Sequence, residues 1–141
     1  MPFNNSVFRL PNTSALVVEG GAMRGIFASG VLDFFMQHNY RRFDFAIGVS
    51  AGATNLSGYV CNQPGRSHDI IVNYATQREF FNPLRGLKGG HLTDVDWLWN
   101  YAHQQIPLAV ENLTDGIPVY AVVSRVADGV QEGILELFGR E

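Results

Sequence analysis

The stretch at residues 43–52 reads Phe-Asp-Phe-Ala-Ile-Gly-Val-Ser-Ala-Gly and contains the feature on which the fold prediction depends. Three alternating apolar side chains at its start predict a β-strand that ends at Gly48. Small residues follow Ser50 and lead into apolar positions typical of a helix that runs to about Cys61. Ser50 is therefore predicted to lie in the turn between a strand and a helix.

A second strand and a helix are predicted upstream of this turn. The continuous apolar run Ala15–Val18 is typical of a strand buried on both faces, as in a parallel sheet. After Gly25, the residues Phe27, Val31 and Phe35 recur four apart with Leu32 and Met36 beside them, which predicts a helix with one buried stripe. Strand, helix and strand form a βαβ unit, which favours a parallel sheet with a right-handed crossover.

The rest of the chain continues the alternation of helices and strands. A glycine-rich and proline-containing stretch at residues 82–91 is predicted to be a loop. The other predicted features are a helix capped by Ser67, a helix at 94–105 capped by Thr93, a strand at 118–126, a turn at Asp128-Gly129 and a final strand-like segment at 134–138. The pattern is that of a single α/β unit without internal repeats.

Composition and charge exclude several classes of protein. The chain has 141 residues, of which 46% are hydrophobic and 16% charged, and a disordered tail is excluded on both counts. Its formal net charge of −3 is the opposite of what a general nucleic-acid binder carries, so no nucleic acid is expected as a partner. No apolar run approaches the roughly 20 residues of a membrane span, and no signal peptide is visible. The lone Cys61 is expected to be a small buried side chain. The protein is expected to be cytoplasmic.

The turn itself carries a Gly-x-Ser-x-Gly motif formed by Gly48, Ser50 and Gly52. In a nucleophile elbow, a tight strand-to-helix turn strains the serine backbone and exposes its hydroxyl, and the two glycines leave room for the chain to fold back. The positive end of the following helix dipole would favour a developing oxyanion. The alternative interpretation is a serine that merely caps the helix within a glycine-flanked turn.

A glycine-rich stretch directly after the first strand is the second candidate functional motif. Its residues are Gly20, Gly21, Ala22, Met23, Arg24 and Gly25. A dinucleotide-binding loop would need glycine at the third of these positions, and a phosphate P-loop would need a following Gly-Lys-Ser or Gly-Lys-Thr. The remaining interpretation is an oxyanion hole made of backbone amides, and it alone explains both motifs with one reaction.

With these two motifs the chain resembles the patatin-like phospholipase family, in which a Gly-Gly-Gly-x-Arg/Lys-Gly loop precedes a Gly-x-Ser-x-Gly elbow. The stretches at 61–65 and 78–81 are similar to a bacterial branch of the family. The resemblance implies a three-layer α/β/α sandwich with a mainly parallel central sheet, and hydrolysis of phospholipid or acylglycerol esters by a Ser–Asp dyad. It implies that Ser50 is the nucleophile and that amides near Gly21, Ala22 and Ala51 bind the oxyanion.

Two departures from the family pattern affect this prediction. Ala22 replaces the third glycine of the loop, which is tolerable if its φ is negative. The family's aspartate follows the serine at long range in an Asp-Gly-Gly or Asp-Gly-Ala motif, whereas Asp115 and Asp128 come too early. We therefore expect residues 1–14 to be an irregular lead-in and residues 15–141 to be the N-terminal part of the domain, with the dyad aspartate beyond it. The alternative is a noncatalytic lipid-binding or interaction module that keeps the fold.

Other polar residues suggest no separate chemistry. No metal and no cofactor are expected, because histidines and carboxylates lack metal-ligand spacing, and His91 and His103 are predicted to be surface residues. The basic region at 66–91 could contact anionic headgroups in a peripheral membrane contact, or it could be a solvated surface. Trp97 and Tyr101 could form an interfacial lid, although packing against a neighbouring loop is the more common fate of such a pair. The lipid ester is the expected partner, and the oligomeric state is left open.

Overall fold

A computed structural model describes residues 12–124 and 131–138 of the chain. Four strands form one sheet in the order β1 (Ala15–Val18), β2 (Phe45–Val49), β3 (Val119–Ser124) and β4 (Gln131–Phe138). The first three strands are parallel, and β4 is antiparallel to β3. The predicted α/β fold with a mainly parallel sheet is therefore confirmed, and β1 and β2 are joined through a helix as the βαβ pattern predicts.

Within the described residues, five α-helices lie between β1 and β3. They are α1 (Gly25–Gln37), α2 (Ala51–Val60), α3 (Arg66–Asp69), α4 (Pro83–Leu87) and α5 (Val95–Gln105). Short 3₁₀ turns occur at Ala22–Arg24 and Val110–Asp115, and a π-helical turn at Ile70–Tyr74 continues α3. Within the described ranges, no helix is both long and apolar enough to cross a bilayer.

The hydrophobic core lies between the sheet and the pair α1 and α2. The alternate strand residues Val18, Ala46 and Val119 point into it and are almost fully buried. The opposite face of the sheet is also apolar, but Val17 on β1 is 65% exposed, so the prediction that this strand is buried on both faces was wrong. That face is the one that a second helical layer covers in a three-layer sandwich.

The buried side of α1 also differs from the prediction. Phe27, expected in the buried stripe, is 80% exposed, and Val31 is exposed as well. The buried positions are Gly25, Ser29, Leu32 and Met36, of which Leu32 and Met36 lie beside the predicted stripe. The helix is rotated in this way because small residues at the start of α1 allow its backbone to approach α2 closely. Phe27 and Phe34 are left on the outside, whereas Phe35 is half-buried and packs against the core.

Several predicted turns and caps need correction. Gly65, with φ of +80°, precedes α3, and Ser67 lies buried inside the helix without capping it. The stretch at 82–91 is not entirely a loop, because the Asn82 side chain accepts a hydrogen bond from the Leu84 amide and starts α4. Asp94 rather than Thr93 caps α5 by accepting a hydrogen bond from the Trp97 amide. The turn predicted at 128–129 and most of the predicted lead-in at 1–14 lie outside the described residues.

Candidate functional site

Ser50 lies between the last residue of β2 and the first residue of α2, where the sequence placed it. Its backbone has φ of +52° and ψ of −124°, so the predicted strain is confirmed. A side chain with a Cβ adopts such a conformation only when the surrounding structure enforces it. Ser50 is exposed, and within the described residues its side chain makes no capping hydrogen bond to α2. A capping role therefore does not explain the serine.

The two glycines of the motif are required by close backbone contacts. A Cβ placed on Gly48 would lie 2.5 Å from the Cα of Ala53, which belongs to the first turn of α2. A Cβ placed on Gly52 would overlap the carbonyl oxygen of Val18 and lie 2.7 Å from that of Glu19. Only glycine fits at either position without a backbone shift. The turn is consequently held against the end of β2 on one side and the end of β1 on the other.

The glycine-rich loop at residues 20–25 meets the serine turn directly. A Cβ built on Gly20 would be 3.0 Å from the Val49 carbonyl oxygen and 3.1 Å from the Ser50 Cβ. The contact follows from the topology, because the carboxyl ends of the parallel strands β1 and β2 lie side by side at one sheet edge. The structure therefore brings together the two motifs that the sequence separates by about 25 residues.

The loop has its own internal order. The Arg24 amide donates a hydrogen bond to the Gly21 carbonyl at 3.0 Å, and the Arg24 guanidinium lies against Gly21. Ala22 has φ of +49°. Alanine would replace the usual glycine without strain only at a negative φ, and that condition is therefore not met. This conformation costs an L-residue on the order of 1–2 kcal/mol. Met23 and Arg24 are exposed, and Gly25 begins α1 and is buried.

Backbone amides supply the polar character of the site. Amides in the first turn of a helix have no partner within that helix, and those of α2 begin at Ala51, directly after the serine. Their partial positive charge favours an anion beside Ser50. The amides of Gly21 and Ala22 belong to the facing loop, which approaches the serine turn at Gly20. Within the described part of the chain, the Ser50 hydroxyl has no hydrogen-bonded carboxylate, and Asp128 lies outside that part.

One polar residue beside the site was missed by the sequence reasoning. Asn55 on α2 is only 3% exposed, and its Nδ2 donates a buried hydrogen bond of 2.8 Å to the Gly25 carbonyl oxygen. The bond joins the end of the glycine-rich loop to the helix that follows the serine. A detectable signal existed, because Asn55 is a polar residue one turn after Ala51 in an otherwise apolar and small-residue helix.

The aromatic and histidine side chains farther along the chain have structural explanations. The rings of Trp97 and Tyr101 stack at 5.0 Å, and Tyr74 packs edge-on against Tyr101. The two rings therefore pack against each other and against the π-helical turn, and the lid stays a prediction. His91 and His103 are exposed, as predicted.

The basic region at 66–91 is only partly a solvated surface. Arg66 is 6% exposed and donates from Nε to the Ile106 carbonyl oxygen, so neither surface interpretation applies to it. Arg85 pairs with Asp94 at 3.1 Å and donates to two backbone carbonyls. Arg78 and Lys88 are exposed. Within the described residues, no group of three or more histidine, cysteine, aspartate or glutamate side chains could hold a metal ion.

An α/β sheet that presents a strained Gly-x-Ser-x-Gly turn beside a glycine-rich loop defines a class of serine hydrolase-like folds. The family model for patatin-like phospholipase matches residues 16–117, and the chain belongs to this family of lipid acyl hydrolases. The chain is 52% identical over 101 residues to the uncharacterized protein YjjU of Escherichia coli strain K12. The match covers 72% of this chain and 28% of that relative. No solved structure shows significant similarity to the chain.

Proposed function

We propose that the full-length protein is a serine acyl hydrolase that cleaves the carboxylic esters of phospholipids or acylglycerols, with Ser50 as the nucleophile. The contact between Gly20 and the strained Ser50 turn is the observation that carries this proposal. It supports the proposal because a nucleophile needs oxyanion donors within a few ångströms of the carbon it attacks. Family membership supports a lipid ester as the class of substrate.

In the proposed reaction, the Ser50 Oγ attacks the ester carbonyl carbon while a base removes its proton. The amides of Gly21, Ala22 and Ala51 donate hydrogen bonds to the oxyanion of the tetrahedral intermediate. The intermediate then collapses, the proton passes to the departing alcohol, and an acyl-enzyme remains. Water attacks this ester in the second half and releases the fatty acid, which regenerates the Ser50 hydroxyl. The family pattern implies that the base is an aspartate far downstream of the serine.

The test uses the full-length protein and a matched pair of serine variants. We expect Ser50→Ala to abolish hydrolysis of a p-nitrophenyl ester and of phospholipid vesicles, and a fluorophosphonate probe to label Ser50. Ser57→Ala is the control, because Ser57 lies on the same helix but its hydroxyl bonds to the Ala53 carbonyl oxygen at 3.0 Å. Hydrolysis that survives in Ser50→Ala, or a probe that labels another residue, would contradict the proposal.

A second candidate function is a noncatalytic module that binds a lipid surface. The exposed apolar side chains Phe27 and Phe34 on α1 favour it, because they could insert into a lipid surface. Both candidates place the protein in peripheral contact with a membrane, and we propose a cytoplasmic location for it. Vesicle binding without ester turnover in the full-length protein would support the second candidate against the first.

A further inference from the structure

The hydrogen bond between Asn55 and Gly25 joins the two halves of the site. Asn55 lies in the second turn of α2, and Gly25 is both the last residue of the glycine-rich loop and the first residue of α1. The donor and acceptor are buried, and the distance from Nδ2 to the carbonyl oxygen is 2.8 Å. A buried amide that lost this acceptor would keep an unsatisfied donor, which costs about 1–3 kcal/mol. The bond is therefore a directional tie between loop and helix.

The surroundings make this tie specific. A Cβ on Gly25 would lie 3.3 Å from the Asn55 Nδ2 and 3.5 Å from the Ala51 Cβ, so the start of α1 rests directly on the first two turns of α2. The other close approach between the halves, of Gly20 to Ser50, leaves no room for a Cβ on Gly20 and involves no hydrogen bond between the described residues. Within residues 12–124, the Asn55 bond is the hydrogen bond that links the loop at 20–25 to α2.

We propose that Asn55 is a positioning residue that fixes the oxyanion-binding loop relative to Ser50. The inference rests on the proposed function, since it assigns Asn55 a part in that reaction without contact to the substrate. The Asn55 side chain holds the Gly25 carbonyl, and thereby the loop amides, at a constant distance from the serine turn. Oxyanion donors need placement to within a fraction of an ångström, and a 1 Å displacement can reduce the rate about a hundredfold.

The kinetic test compares two variants of α2 in the full-length protein. Asn55→Leu keeps a similar side-chain volume but removes the donor, and we expect kcat for a p-nitrophenyl ester to fall by about tenfold to a hundredfold. KM should change by less than about twofold, because the loop amides act on the transition state more than on the bound substrate. Ser57→Ala removes a hydrogen bond that stays inside α2, and it should keep kcat within about twofold of the wild-type value.

A second measurement tests the position of the loop without using activity. Arg24 in the loop and Arg78 are both exposed and provide trypsin sites. We expect Asn55→Leu to accelerate cleavage after Arg24 relative to cleavage after Arg78, because the loop is released from α2. An unchanged ratio together with an unchanged kcat would overturn the inference. Equal acceleration at both sites would also overturn it, since it would show a general loss of stability.

The two readouts separate this inference from the proposed function. If Ser50→Ala retains hydrolysis, the assignment of the nucleophile fails, and faster cleavage after Arg24 would still support the tie between the loop and α2. If Ser50→Ala is inactive but Asn55→Leu hydrolyses esters normally, the nucleophile is supported and the positioning role of Asn55 is wrong.

Discussion

The contact between Gly52 and the end of β1 makes a quantitative prediction for the variant Gly52→Ala. The added methyl group would overlap the Val18 carbonyl oxygen and lie 2.7 Å from the Glu19 carbonyl oxygen. An ordinary contact is about 3.5 Å, so the helix and the strand end must separate by about 0.8 Å or more. Both obstructing atoms belong to the backbone, and no side-chain rotation relieves the overlap.

The expected cost follows from two opposing effects. Overpacking of this kind costs about 1–3 kcal/mol, and alanine recovers up to about 1 kcal/mol over glycine through its helix propensity. Because both obstructing atoms are backbone, the cost lies near about 3 kcal/mol, and we expect Gly52→Ala to lower the free energy of unfolding by about 2 kcal/mol. Gly30→Ala is the matched control, because Gly30 lies in α1 and, apart from the helix's own backbone, no atom of the described residues comes within 4 Å of the added methyl group. It should raise the free energy of unfolding by about 0.5–1 kcal/mol.

Urea denaturation of the full-length protein, followed by circular dichroism, measures both variants. With a denaturant slope of about 1–3 kcal/mol per molar, the Gly52→Ala midpoint should fall by roughly 1 M, while the Gly30→Ala midpoint should rise slightly. The Gly52 variant should also lose ester hydrolysis, because the serine turn is displaced from the loop. A Gly52→Ala midpoint equal to or above that of the wild type would refute the steric reasoning.

Two further predictions concern backbone strain and thiol ionisation. Because Ala22 has a positive φ, Ala22→Gly should raise the free energy of unfolding by up to about 1 kcal/mol. The control, Ala28→Gly within α1, should lower the free energy of unfolding by about as much. A loss of stability in Ala22→Gly would contradict this prediction. Burial raises the pKa of the Cys61 thiol, so Ellman's reagent should react slowly at pH 8 until urea unfolds the protein. Since the folded pKa is the higher one, this thiol's contribution to stability is present below its ordinary pKa and is lost as the pH rises above that value. Fast reaction of Ellman's reagent with the folded protein would contradict the prediction.

The arrangement of strands was predictable because its signals are local and strong. An apolar run followed by glycines, and the alternation before Gly48, correctly predicted β1 and β2 and their parallel pairing. The buried side of α1 was not predictable from the size of its side chains. The small Gly25 permits close approach to Ala51 and Asn55 of α2, Ser29 is buried, and Phe27 remains outside. Helix orientation was therefore decided by backbone proximity, which hydrophobic periodicity does not measure.

The predictions of helix N-caps were wrong for a different reason. Thr93 and Asp94 are adjacent and both are good N-caps, so the choice depends on which side chain reaches the amide three residues on. The short helix α4 had a readable start in Asn82 followed by proline, a favoured pair at a helix N-terminus. Its glycines outweighed that signal, because glycine is unfavourable inside a helix.

The distribution of backbone strain gives independent support for the location of the site. Within the described residues, the non-glycine residues with positive φ are Asn12, Ala22, Asn39, Ser50 and Asn62. Asparagine tolerates this conformation through local hydrogen bonds, so its three occurrences need no further explanation. Ala22 and Ser50 lack that tolerance, and they follow the carboxyl ends of the adjacent strands β1 and β2. Strain of about 1–3 kcal/mol at each persists only where packing enforces it, and such strain concentrates at functional sites. The glycine contacts at 20, 48 and 52 supply that packing, which connects the stability predicted for Gly52 variants with the chemistry proposed for Ser50.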